Sequence, residues 1–222
     1  MSFSDVWRYG YFASLLDEGV GYVVLFHIVC AVIAYLLGGI NFGVLISRMY
    51  GKDVRNVGSG NAGATNMTRT FGKKAGALTF LGDFLKACVA LFIAILLMGV
   101  RGAYVAGIFC IVGHAYPVYF KFKGGKGVVC ILAMGFFTNL LVTLIMIVIF
   151  AAILFGFKMV SFASVMTMLI YPLILSNIEG NGIHIIYAMI AALLVVFLHR
   201  KNIVRIFNHT ESKISLGKKK DK

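Results

Sequence analysis

Long uncharged apolar runs alternate with short basic segments along almost the whole chain. Residues 2–19 mix Trp7, Tyr9, Tyr11, Phe12, Leu15 and Leu16 with a few charges, which suits a helix lying in a membrane interface. The run from Val20 to Ser47 predicts a first spanning helix. Its second half, Gly38-Gly39-Ile40-Asn41-Phe42-Gly43, carries small residues that let another helix approach closely. Runs at Ala75–Met98 and Gly102–Phe120 predict a second and a third span. Val128–Phe157 has no charge over 30 residues. One straight crossing needs about 20 residues and two full crossings about 40. The charges on either side, at Lys121–Lys126 and Lys158, belong on the same face, so an even number of crossings separates them. The stretch is therefore read as two short helices with a turn near Thr138-Asn139. Val160–Ser176 and Ile183–Leu198 supply the last two spans, joined by an outer turn whose only charge is Glu179.

The fold class that follows is an all-α integral membrane protein. It is a seven-helix transmembrane bundle with the N-terminus outside, the C-terminus cytoplasmic and two short helices at about 128–157. Residues 48–74 hold six basic residues against the single acid Asp53, and the tail 199–222 holds eight basic residues, as cytoplasmic segments should. Arg8 and Arg101 fall on the other face. Three parts are expected: an interfacial segment 1–19, one transmembrane domain 20–198, and a basic tail 199–222. That tail ends in Lys218-Lys219-Lys220, attracted to the anionic leaflet.

Composition sharpens this picture. Of 222 residues, 60% are hydrophobic and 13% charged, with mean hydropathy +0.93. Soluble domains carry about 45–50% and about 25% respectively, so a water-soluble class is excluded. The net charge of +13 sits between apolar runs rather than on an aromatic-rich basic module, which argues against nucleic acid as a partner. Cys30, Cys88, Cys110 and Cys130 lie inside apolar runs without metal-ligand spacing. No cleavable signal peptide is expected, because Asp5, Asp17 and Glu18 interrupt the first 20 residues.

Three polar clusters gather on the basic face. The first, Gly58-Ser59-Gly60-Asn61-Ala62-Gly63-Ala64-Thr65-Asn66-Met67-Thr68-Arg69, combines glycines that let backbone N–H groups close on an anion with side-chain donors. Arg69 adds a planar fork suited to phosphate. A dinucleotide fingerprint is excluded, since G-x-G-x-x-G needs a preceding strand in a βαβ unit. The second cluster is His114-Ala115-Tyr116-Pro117 followed by Lys121-Phe122-Lys123-Gly124-Gly125-Lys126-Gly127. Membrane anchoring explains its lysines but not its paired glycines, and Walker A fails because Gly127 follows Lys126. The residues leave His114 open between helix packing and ligand binding. The third cluster, His199-Arg200-Lys201-Asn202 with Arg205, Asn208 and Glu211, starts where the last span ends; His199 and Asn202 share a helix face. Within the second span, Asp83 and Lys86 have the spacing of a helical ion pair, either structural or chemical. Ser161 and Ser164 share a face at the start of the sixth span.

The strings GSGNAGATNMTRTFGKKAG, DFLKA, GHAYPVYFKFKGGKGV and HRKNIVRIFNHTESKI resemble the bacterial acyl-phosphate:glycerol-3-phosphate acyltransferase family, PlsY, from about Gly38 to Ile214. The resemblance implies a seven-helix plasma-membrane enzyme with its active site facing the cytoplasm. It would make lysophosphatidic acid in phospholipid synthesis, with acyl phosphate as donor and neither acyl-CoA nor acyl carrier protein serving. Carried over by position are Ser59, Asn61, Asn66 and Arg69; His114 with Lys121, Lys123 and Lys126; His199, Asn202 and Glu211; and Ser161. The family's Arg-Tyr-like pair before that serine is replaced here by Phe157 and Lys158, and the first 20 residues exceed the usual length.

Substrate, lipid bilayer and the enzyme supplying acyl phosphate are the partners so implied; no cofactor and no metal are called for. None of the five histidines has an Asp five residues on, as soluble-loop acyltransferases require, and no Ser-His-Asp set is evident. Catalysis is therefore expected to rest on positioning and oxyanion stabilisation. Ser59, Arg69, His114 and His199 would act at the reacting centre. Gly58, Gly60, Asn61, Asn66, Lys121, Lys123, Gly125, Lys126, Ser161 and Asn202 would hold phosphate, with Asp83, Lys86 and Glu211 in support. The base is left open between His199, His114 and a substrate phosphate oxygen. A transporter is the main rival, but no inverted repeat is visible. A lipid-binding scaffold leaves the Gly/Asn/Ser content of 58–66 without a purpose.

Overall fold

The computed structural model describes residues 2–13 and 19–214, and all regular structure among them is helical. In chain order the helices are α1 (Phe3–Tyr9), α2 (Val20–Gly39), α3 (Phe42–Met49), α4 (Ala64–Phe71), α5 (Lys73–Ala115), α6 (Val128–Thr138), α7 (Leu140–Phe157), α8 (Val160–Ile178), α9 (Gly182–Leu198) and α10 (Arg200–Phe207). Four of the described helices, or five counting the bent pair α9–α10, are long and apolar enough to cross a membrane.

α5 has 43 residues, about 65 Å if straight and twice the roughly 30 Å hydrocarbon core. It is not one rod. Gly99 breaks it with φ 61 and ψ −153, a conformation open essentially to glycine alone. The residues after the break fold back on those before it, so that a Cβ on Gly102 would stand 2.3 Å from the Ala94 carbonyl oxygen. The two expected spans on either side of Arg101 are thus a helical hairpin. The third helix stops at Ala115 rather than Phe120, because Pro117 follows and 118–120 form a separate 3-10 turn.

The expected first span is also divided. α2 ends at Gly39, and the Asn41 side chain accepts from the Val44 amide at 3.2 Å to start α3. α2 lies against the second half of α5 at backbone distance: a Cβ on Gly38 would fall 2.5 Å from the Cys110 carbonyl oxygen. Between α6 and α7 the chain turns at Asn139, whose side chain accepts from the Val142 amide at 3.0 Å. α6 is short, 11 residues, whereas α7 has 18 and is long enough to cross. The final helices match the expected bounds within two residues.

α1 packs against the bundle. It caps the Gly99 break, with the Tyr11 amide donating to the Leu96 carbonyl at 2.8 Å, Val6 buried and Trp7 stacked on Phe137. Leu15, Leu16 and the Lys218-Lys219-Lys220 end lie outside the described residues.

Leu91, Ile95, Tyr104, Ile111, Met134 and Leu175 form the centre of the main core. A second, smaller cluster of Val44, Val54, Ala62, Met67 and Phe120 lies under the loop between α3 and α4. Leu141, Val148, Phe155, Leu173 and Leu193 are exposed on the outside of the bundle, apolar surface of the extent that lipid covers.

Candidate functional site

The helix α4, the end of α5, the C-terminal half of α7, the starts of α6 and α8, and α10 meet at one end of the bundle. There they enclose a cavity of about 740 Å³ that all three polar clusters line. The first cluster is shaped by Asn66, which is 1% exposed. Its Oδ1 accepts from the Ser59 amide at 2.9 Å, and its Nδ2 donates to the carbonyls of Val54, Val57 and Asn61 at 3.3, 3.0 and 3.0 Å. Gly58, with φ +60, lies so close that a Cβ would meet Asn66 Oδ1 at 2.2 Å. Asn66 is thus committed to the loop backbone, and the Ser59 amide is already taken. What the loop offers the cavity is the exposed Ser59 hydroxyl, Asn61 and the exposed Arg69 guanidinium, which has no acceptor among the described residues. Gly60 gives the turn its second left-handed residue, φ +71, without lining the cavity.

Asp83 and Lys86 form the expected helical pair, 2.7 Å apart and buried. The Lys86 ammonium also donates to the Ile40 carbonyl at 2.6 Å and to His114 Nδ1 at 3.0 Å, which accounts for all three of its protons. An ammonium only donates, so His114 Nδ1 is an acceptor and the ring proton sits on Nε2. Gly125 packs on that ring edge, where a Cβ would stand 2.0 Å from Nε2. His199 is oriented the other way. Its Nδ1 donates to the Val195 carbonyl at 2.8 Å, leaving Nε2 with a lone pair beside the cavity. The two histidines that line the cavity are therefore held in opposite tautomers, with the proton on Nε2 in His114 and on Nδ1 in His199.

The third cluster is organised by Glu211. Its Oε1 accepts from Ser161 Oγ at 2.7 Å and Asn202 Nδ2 at 2.8 Å, and its Oε2 from Arg205 Nε at 2.7 Å. Burial alone would raise its pKa, but these donors outweigh it and hold the carboxyl below its ordinary range. Asn202 Oδ1 in turn accepts from the Lys126 ammonium. Burial pulls the Lys126 pKa down to about 8; Glu211 opposes the shift, and the neighbouring cations Arg205 and Arg69 add to it.

Lys121 and Lys123 are exposed and stand outside the cavity wall; the Lys123 carbonyl instead faces Arg55. Arg55, paired with Asp53 at 2.6 Å, also donates to the Phe120 carbonyl at 2.8 Å and so joins the first loop to the second. Sequence reasoning passed over this tie and the Arg205–Glu211 pair. The six-residue spacing of the latter was the available signal, but it becomes a contact only because the chain reverses after α10.

With Asp83 paired to Lys86 and Glu211 to Arg205, the cavity is left with two unpaired cations, Arg69 and Lys126. That suits anions. Phe80, Val128, Val129, Phe150 and Ser164 also line a second, almost wholly apolar cleft of about 280 Å³ between α6, α7 and α8, which lies directly beside the cavity.

The sequence matches the family model for glycerol-3-phosphate acyltransferase over residues 28–209. The glycerol-3-phosphate acyltransferase of Clostridioides difficile is 40% identical over 202 residues, covering 88% of this chain and 98% of that protein. That of Aquifex aeolicus is 39% identical over 183 residues, covering 81% and 95%. The backbone is similar to a crystal structure of PlsY, an integral membrane glycerol 3-phosphate acyltransferase, in its glycerol 3-phosphate form. The TM-score is 0.80 at 37% identity over 85% of this chain and 96% of that one. The lysophosphatidic acid form superposes with a TM-score of 0.77. The family model spans most of the chain and the relatives and solved structures agree with it: this membrane protein belongs to the glycerol-3-phosphate acyltransferase family, of the PlsY type.

Proposed function

We propose that the protein moves a fatty acyl group from acyl phosphate to glycerol 3-phosphate, giving lysophosphatidic acid and inorganic phosphate. The observation that carries this reading is the pair of unpaired cations, Arg69 and Lys126, on a polar cavity that shares a wall with an apolar cleft. Two phosphates need two cationic partners, and a tail that travels in lipid needs an apolar path to the same point. Ser59, Asn61 and Arg69 bind phosphate from the first loop, and Lys126 and Asn202 from the other side. Gly58, Asn66, Lys86, Asp83, Arg205 and Glu211 hold those groups in place.

The glycerol hydroxyl oxygen attacks the acyl carbonyl carbon, and the acyl carbon–oxygen bond to phosphate breaks. His199 Nε2, the acceptor, takes the hydroxyl proton and passes it to the departing phosphate. His114 Nε2–H donates toward the oxyanion. Phosphate is a competent leaving group, so no protein nucleophile is needed and the barrier is lowered by positioning and preorganised donors. The anionic substrate enters from the cytoplasm, which places the cavity on that face of a bacterial plasma membrane.

Seven crossings follow, with the hairpin of α5 counted twice and α6 once; the N-terminus is outside and the C-terminus inside. Residues 20–198 act as one transmembrane domain, and residues 199–214 of the basic tail close the site. A contact with the enzyme that supplies acyl phosphate is part of the same reading.

The test is lysophosphatidic acid formation by purified protein from labelled glycerol 3-phosphate with acyl phosphate, acyl-CoA or acyl carrier protein in separate reactions. Product from acyl phosphate alone is expected. Product from acyl-CoA alone would overturn the donor.

A further inference from the structure

The apolar cleft has a measurable depth and a definite floor. Its mouth, shared with the polar cavity, is set by Val128, Phe150 and Ser164, and its far end by Gly135, Thr143 and Tyr171. On each of α6, α7 and α8 the mouth and floor residues are seven apart, about 10 Å of helix rise. Three helices of different direction thus agree on one depth. The walls and the floor alike turn apolar surface to the cleft. Tyr171 is 5% exposed and Thr167 4%, so both side chains are packed into the bundle at this end of the cleft. Gly135 and Thr143 close the remaining side: a Cβ on Gly135 would meet Thr143 Oγ1 at 2.3 Å, so no alkyl group passes between them.

We propose that this cleft gauges the length of the acyl chain, with the Tyr171 ring as its stop and Thr167 one turn above it. The inference rests on the donor being a fatty acyl phosphate. The gauge works by exclusion rather than attraction. A tail arriving from the bilayer is already solvated by hydrocarbon, so a matching cleft adds little. A tail too long for the cleft must drive Tyr171 off its rotamer or bend out of line with the polar cavity. Overfilling a packed apolar site by one or two methylenes lowers productive binding roughly five- to 150-fold.

The experiment mixes two acyl phosphates of different chain length in the same micelles and reads the ratio of the two lysophosphatidic acids formed, repeated along a series of lengths. The wild type is expected to discriminate steeply beyond one length. Tyr171→Ala should admit longer donors, raising the long-to-short ratio by about fivefold or more, while the volume-conserving Tyr171→Phe keeps the wild-type profile. Thr167→Phe, which fills the cleft one turn higher, should move the limit shorter. Turnover of donors too short to reach the floor shows that each variant is folded. Length profiles of Tyr171→Ala and Thr167→Phe that superpose on the wild type would overturn the gauge. A wild type inactive with acyl phosphate of every length would instead overturn the proposed reaction, a result distinct from an active enzyme indifferent to the cleft.

Discussion

Asn66 offers the sharpest test of how the first loop works, because its replacement by Asp changes one atom type without changing shape. In the native loop Oδ1 accepts from the Ser59 amide, and Nδ2 faces the carbonyls of Val54, Val57 and Asn61 within 3.3 Å. In Asn66→Asp the amide contact survives, but a carboxylate oxygen now confronts those carbonyls. Two N–H donors are lost, worth about 1 kcal/mol each, and a charge is placed at a site 1% exposed among acceptors. An uncompensated buried charge costs about 3–5 kcal/mol, unless the group protonates at a comparable penalty. The loop is not free to let go cheaply, since Val54, Ala62 and Met67 beneath it belong to one buried cluster with Val44 and Phe120.

A loss of about 3 kcal/mol corresponds to a drop of roughly 6–12 °C in Tm for a chain of this size. The assay is thermal unfolding in detergent beside steady-state kinetics. Both Tm and kcat should fall, because the loop that carries Ser59, Asn61 and Arg69 loses its shape. If Asn66 instead touched substrate phosphate, Asp would raise KM by like-charge repulsion and leave Tm where it was. That second pattern would refute the reasoning.

Three further outcomes follow from the same geometry. Arg69→Lys removes a bidentate, charge-assisted contact worth about 1.5–3 kcal/mol, so kcat/KM should fall roughly 10- to 100-fold with Tm unchanged, the guanidinium having no acceptor among the described residues. Lys126 is cationic below about pH 8 and neutral above it, so KM for glycerol 3-phosphate should rise as the pH passes through about 8, and that break should vanish in Lys126→Arg. Gly99→Ala forces a side chain into a left-handed conformation, at about 1–3 kcal/mol, with its Cβ 2.4 Å from the Arg8 carbonyl oxygen; lower Tm and lower folded yield should result without a change in KM.

The fold was legible where the bilayer itself imposes the rule. Uncharged runs longer than a membrane is thick must be helical, because lipid offers no partner for a bare amide, and α7, α8 and α9 lie within a few residues of their expected bounds. What escaped was local chemistry inside those runs. Asn41 ends one helix and caps the next in the middle of an apolar stretch, and Pro117 with the 3-10 turn at 118–120 stops the third span early. Both are polar or rigid residues whose effect on hydropathy is small and whose effect on the backbone is large. α1 was beyond reach for another reason. Its partner is a turn made by Gly99, almost ninety residues on, and nothing in the composition of residues 2–19 points there.

At the site the residue types were legible and their assignments were not, because a sequence shows which groups can bind and never which have already been used. Lys86 could have been a cation for substrate; three protein acceptors consume its three protons. Asn66 could have been a ligand; the loop consumes it. Glu211 fills its oxygens with Ser161, Asn202 and Arg205, and by doing so turns Asn202 Oδ1 toward Lys126. Subtraction leaves Arg69 and Lys126 as the cations without a carboxylate partner, His114 as a donor and His199 as an acceptor. The same subtraction divides the roles of two histidines that sequence spacing had left equivalent. A carbonyl can only accept and an ammonium can only donate, so Val195 and Lys86 fix the two tautomers from behind the cavity. Replacing Lys86 with Met should therefore leave the Asp83 carboxylate, 3.7 Å from His114 Nδ1, to draw the ring proton to that nitrogen and lower kcat more than it raises KM for glycerol 3-phosphate. A rise in KM alone would mean that Lys86 acts on the bound anion after all.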